Sequence, residues 1–171
     1  MQRIHTTDRK SIRIPYSTSY KQEVDMKPKG IWYGLDWSWH EWCEMEGFSQ
    51  GKGKNNFEID LHLQNILVID TEEKMKYFAH KFGEVPEWRR KNNLGDVRDY
   101  IDWKKVSETY SGIEISPYQH KFRLDRNFFW YYGWDCASGC IWNLNAIKSV
   151  TQIKYEKAND KNRSNTRNEE R

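Results

Sequence analysis

The sequence predicts a single domain of the α+β class, and three observations carry that prediction. Phe57, Ile59 and Leu61 alternate with Glu58, Asp60 and His62, the period of a half-buried strand. Met75, Phe78, Ala79 and Phe82 instead recur at helical spacing. The stretch 27–43, KPKGIWYGLDWSWHEWC, begins as a strand and ends as a helix. At 171 residues the chain is long enough to bury one real core. Hydrophobic residues make up only 37% and mean hydropathy is −1.03, yet there are nine Trp and ten Tyr. The core must therefore be built from few, large aromatic side chains, each with a polar handle that needs a partner.

In chain order, Gln2 to Thr6 reads as the first strand and Thr7 to Lys29 as loop or irregular structure. Pro28 and Gly30 punctuate the entry to Ile31-Trp32-Tyr33, a run of strong strand formers that Gly34 is expected to close. Ser38 with Glu41 has capping-box spacing, Leu35, Trp39, Trp42 and Cys43 fall near one helical face, and Gly47 is the expected stop. Residues 49–56 form a turn-rich loop. The alternating strand that follows runs to Leu63, and Ile66 to Ile69 reads as a buried central strand. Asp70 to Glu73 caps the next helix, which ends at Gly83. Val85 to Tyr100 has no period and reads as a long loop, its Arg89-Arg90-Lys91 cluster a solvated one. Asp102 caps a helix over Trp103 to Tyr110, ended by Gly112. Strands follow at Ile113–Ser116, Phe128–Trp134, Cys136–Trp142 and Ile147–Tyr155. The domain thus spans 1–155, and residues 156–171, almost without apolar content, read as a disordered polar tail.

Composition excludes several classes. A net charge of +3, from 28 basic and 25 acidic residues, is no footprint of nucleic-acid binding by itself. No apolar run is long enough to span a membrane and the N-terminus reads as no signal peptide, so a cytoplasmic protein is expected. Three cysteines make no disulfide framework, and Cys136 and Cys140 lack the spacing and further ligands of a zinc site, so no metal is expected. Phosphate-loop, dinucleotide, zinc-protease and serine-hydrolase motifs are absent. His5 lies within the first strand. Glu114 alternates with Ile113 and Ile115, so it faces either water or a cleft. The stretch 134–142, rich in small residues, points to close backbone packing or a bulge. The aromatic unit at 31–43 is either buried core or a platform gripping a flat ligand, with Gly34 admitting a close approach.

Three of these elements, taken in order, resemble the ADP-ribosyltransferases of the His-Tyr-Glu branch, which includes the poly(ADP-ribose) polymerases. They are His5 in Ile-His-Thr, Gly30-Ile31-Trp32-Tyr33-Gly34 with Trp39 and Trp42, and Glu114 in Gly-Ile-Glu-Ile. The Lys-Pro-Lys-Gly-Ile-Trp segment also resembles KPxGLW segments of bacterial and phage proteins of this broad type. Thr6 stands where the family often has glycine. A second branch uses arginine, Ser-Thr-Ser and paired glutamates; Arg3 and Ser17-Thr18-Ser19 imitate it, but Gly112 stands in place of the first glutamate. The resemblance implies a split, mostly antiparallel sheet with flanking helices, binding NAD as substrate in its cleft. It implies that His5, with Thr6, poses the ribose and that Trp32 or Tyr33 beside Gly34 stacks on nicotinamide. Glu114 would stabilise the charge that develops as nicotinamide leaves. The acceptor is a protein side chain, a nucleic-acid base or water, and the location is the cytoplasm, the host's if a phage encodes the chain. The competing expectation is a non-enzymatic module whose aromatic faces stack on bases or grip a partner protein. A third is an inactive transferase-like fold.

Overall fold

The alternating and apolar segments assemble into a seven-stranded mixed sheet in the order β10-β4-β1-β3-β9-β8-β5, seen in a computed structural model that describes residues 1–15, 17–49 and 53–155. Its strands are β1 (Arg3–Thr7), β3 (Ile31–Leu35), β4 (Asn55–Leu61), β5 (Ile66–Ile69), β8 (Gly112–Ile115), β9 (Ser138–Ile141) and β10 (Ile147–Ile153). Only β5 and β8 run parallel; every other pair is antiparallel. A small second sheet joins β2 (Val24–Asp25), β7 (Tyr100–Asp102) and β6 (Gly83–Glu84). The α-helices are α1 (Ser38–Met45), α2 (Glu72–Phe82), α3 (Glu87–Lys91), α4 (Trp103–Ser107) and α5 (His120–Arg123). The architecture is thus α+β. No helix among the described residues is long and apolar enough to cross a membrane.

The large sheet is covered on both faces. One face meets an aromatic layer in which Phe78, Trp103, Trp130 and Trp142 are buried with Ile113, Ile115 and Cys140. The other buries Tyr33, Leu35, Ile59, Leu61 and Ile141 under the turn at 144–147. Local chemistry fixes the helices as expected at several ends. The Thr71 hydroxyl accepts the Lys74 amide at the start of α2, and the Asp102 carboxylate accepts the Lys105 amide at the start of α4. Gly47, at φ +66°, ends α1 while the Phe48 and Gly47 amides return to the Cys43 and Glu44 carbonyls, the Schellman pattern.

Elsewhere the structure departs from expectation. Gly34 lies inside β3 and does not close it; a Cβ there would stand 3.1 Å from that of Trp39, so the glycine admits the close approach of α1. Ser38 does not cap α1. Its hydroxyl donates to the Ala137 carbonyl instead, at 2.7 Å, and Leu35 belongs to β3. β5 is an edge strand, apolar throughout because Leu67 packs on one cluster and Val68 on the other. Leu63 sits in a 3₁₀ turn, half exposed, and α4 stops at Ser107. The segment 85–100 contains α3. Residues 126–131 form a 3₁₀ helix, not a strand, because buried Phe128, Trp130 and Tyr131 do not alternate at period two. The expected tail at 156–171 and part of the 49–56 loop lie outside the described residues.

One irregularity in the large sheet makes room for a cavity. β1 and β3 are paired only at Arg3–Leu35 and Ile4–Gly34, although β1 continues to Thr7 and β3 starts at Ile31. Beyond Ile4 the two strands part, and the sheet opens into a fork.

Candidate functional site

A cavity of about 270 Å³ occupies the fork. His5 and Thr6 line it from β1, and Trp32, Tyr33 and Gly34 from β3. The structure therefore brings together the five residues expected to hold NAD, while Glu114 is not among the lining residues. The far wall comes from Gly133, Trp134, Asp135, Cys136 and Ser138, with Lys27 and Trp39 at its sides.

Where main-chain pairing of β1 and β3 ends, a side chain replaces it. His5 Nδ1 lies 2.7 Å from the Trp32 carbonyl oxygen. A carbonyl only accepts, so Nδ1 carries the proton and a neutral ring leaves Nε2 as an acceptor. Burial disfavours the imidazolium and lowers the His5 pKa, against a smaller upward pull from this bond.

Trp32 and Tyr33, adjacent on β3, point to opposite faces. Trp32 packs with the aromatic layer, edge-on to Trp134 at a centroid distance of 4.8 Å and 66°, and the Lys27 ammonium lies 4.9 Å from its ring centre. Trp134 is buried, and its Nε1–H has no hydrogen-bond partner among the described residues. The donor is itself enclosed, so Trp134 presents its ring to the cavity as an apolar wall.

Tyr33 runs the other way. Its hydroxyl donates to Glu114 Oε2 at 3.0 Å, and Arg3 donates Nε to the same oxygen at 2.7 Å and Nη2 to Oε1 at 3.3 Å. Sheet order explains how three distant residues meet. Tyr33 registers with Gly139 on β9, and Gly139 with Glu114 on β8, so the phenol crosses the one position without a side chain. A Cβ at Gly139 would collide with the Tyr33 ring and stand 2.6 Å from the Ile113 carbonyl oxygen. Glu114 is 2% exposed, so it faces neither water nor the open cavity. Burial, then the Glu114 charge, raises the Tyr33 pKa well above its ordinary value and keeps the phenol a donor. Burial works against the Arg3 charge, yet the Glu114 bonds hold its pKa above the usual value.

On the far wall, burial raises the Asp135 pKa even with Arg123 Nη2 3.3 Å away. Burial likewise pushes the Cys136 thiol up to about 11, so it is no ready nucleophile at neutral pH. Among the described residues no group of His, Cys, Asp or Glu could hold a metal ion. Sequence reasoning did not assign Lys27, Trp134 or Asp135 to the site. The density of Trp, Asp, Cys and Gly at 134–142 was the signal available for the last two. Ser19, from the Ser-Thr-Ser triplet, bridges Asn143 and lines no part of this cavity.

Compared with protein-family models, curated proteins and solved structures, the chain matches none.

Proposed function

We propose that the chain is an ADP-ribosyltransferase of the His-Tyr-Glu type that seats part of NAD in the fork between β1 and β3. The observation that carries this reading is the convergence of His5, Thr6, Trp32, Tyr33 and Gly34 on one cavity, joined to Glu114 by the Tyr33 hydroxyl. The parting of β1 and β3 supports a split sheet of that family's kind. A volume of about 270 Å³ suits one planar ring and little more, so the rest of a dinucleotide would extend past the mouth. The aromatic walls of Trp32, Tyr33, Trp39 and Trp134 fit such a ring.

The transfer consumes NAD and one acceptor and needs no oxidant or reductant. The bond between the ribose C1′ and the nicotinamide nitrogen breaks, and its electron pair neutralises the ring as nicotinamide departs. C1′ then bonds to an acceptor oxygen or nitrogen, which releases a proton. Positive charge on the ribose peaks between these events. Glu114, fixed by Arg3 and one hydrogen bond from the cavity, supplies negative charge that matters most at that moment.

The test is nicotinamide release from NAD in the presence of cell lysate, with Glu114→Gln as the variant. Loss of release by on the order of 10²–10³, with the circular dichroism spectrum retained, is expected. Absence of release from both proteins, with no rise in melting temperature on adding NAD, would refute the reading.

A second reading has its own observation. Both Glu114 oxygens are bonded within the protein and the carboxylate is buried, the signature of a structural ion pair. The cavity would then be a non-enzymatic site for a flat ligand, with binding that survives Glu114→Gln unchanged.

A further inference from the structure

The 3₁₀ helix Arg126–Tyr131 leads directly into the cavity wall at Gly133 and Trp134. Its aromatic residues divide sharply. Phe128, Trp130 and Tyr131 are buried and anchor the backbone in the aromatic layer. Phe129 and Tyr132 point outward, 46% and 51% exposed, with ring planes within 11° of parallel and centroids 6.0 Å apart. Two parallel, exposed rings on a rigidly anchored turn form a platform on which flat groups can stack, with little ordering needed on binding.

Charge selects among flat partners. Lys121, Arg123 and Arg126 stand on this short stretch against Asp125, whose carboxylate accepts the Asn127 amide. Lys121 and Arg123 are held by Glu72 and Asp135, while Arg126 is exposed and has no ion pair among the described residues. Lys27 adds a further cation at the cavity itself. Two stacking rings on the turn that carries the exposed Arg126, and that runs on into the cavity wall at Gly133, match bases joined by phosphates better than an apolar protein face.

We infer that the Phe129–Tyr132 face docks single-stranded nucleic acid, which is the ADP-ribose acceptor. The word acceptor rests on the transferase reading; the docking does not. On binding, two bases stack on the platform. A neighbouring base or terminal phosphate then supplies the oxygen or nitrogen that bonds to C1′ and gives up its proton as nicotinamide leaves.

The test is fluorescence anisotropy of the full chain with fluorescein-labelled RNA and DNA strands of about 16 nucleotides, single and duplex. Single strands are expected to bind at least tenfold tighter than duplexes. The double substitution Phe129→Ala with Tyr132→Ala, at exposed positions, is expected to weaken binding by about tenfold or more. Its melting temperature and its shift with NAD are expected to stay those of the parent. Equal binding of duplex and single strand, unchanged binding by the variant, or no binding at low salt would overturn the docking. Strand binding without transfer of label from biotinylated NAD, in a protein that releases nicotinamide, would overturn the acceptor role alone. A chain that binds strands but shows no thermal shift or turnover with NAD would refute the transferase reading and leave the docking face standing.

Discussion

His5 does two jobs at once: it closes the end of the β1–β3 pairing and lines the cavity. Its pKa is lowered in the folded chain from the ordinary 6.5. The unfolded chain therefore takes up a proton first as the solution is acidified. The stability that depends on neutral His5 is complete above 6.5 and declines as pH falls below it, by at most about 1.4 kcal/mol per pH unit. Urea unfolding followed from pH 7 into this window should show a shallower decline in the His5→Gln variant, whose amide can still donate to the Trp32 carbonyl. Identical slopes would mean that His5 does not titrate differently on folding. At the same scale, the Arg3–Glu114 contact was hidden in the sequence. Arg3 and Glu114 are 111 residues apart, and only strand order brings them to one face. His5, Trp32, Tyr33 and Gly34 were legible because strong strand formers, a glycine and a lone histidine are local signals.

Among the elements, those with a clean period and a real cap were readable. α2 has both, with Met75, Phe78, Ala79 and Phe82 buried on one stripe behind the Thr71 cap. β4 has the alternation. The strand expected at 128–134 rests on aromatic density, which looks like strand propensity, whereas tertiary packing decides the backbone of the turn at 126–131. β9 shows the reverse case, in which a small residue is required by its neighbours. Replacing Gly139 by Ala would force the Tyr33 ring and the β8 backbone apart. A loss of about 1–3 kcal/mol is expected in chemical denaturation. The Tyr33–Glu114 bond should be lost with it, so any activity should fall further than stability alone explains. A variant as stable as the parent would show that Tyr33 does not cross β9 at this point.

For the whole molecule, low hydropathy did not mean a weak interior. Trp103, Trp130, Trp134 and Trp142 are each buried, and they give the aromatic layer its bulk. The two halves of the large sheet, β10-β4-β1 and β3-β9-β8-β5, meet along a seam of two paired positions, the Gln2–Asp36 hydrogen bonds beside them, one imidazole bond and the Arg3–Glu114 pair. The cavity sits at the open end of this seam. A molecule wedged there would set the angle between the halves, much as a key holds two leaves of a lock apart. Amide hydrogen exchange at 5–7 and 31–33 should then be fast in the free protein and slow once the cavity is filled, while β9 and β8 change little. Whatever that molecule is, its arrival would be felt first along the line between β1 and β3, because the parting of those two strands is what makes room for it.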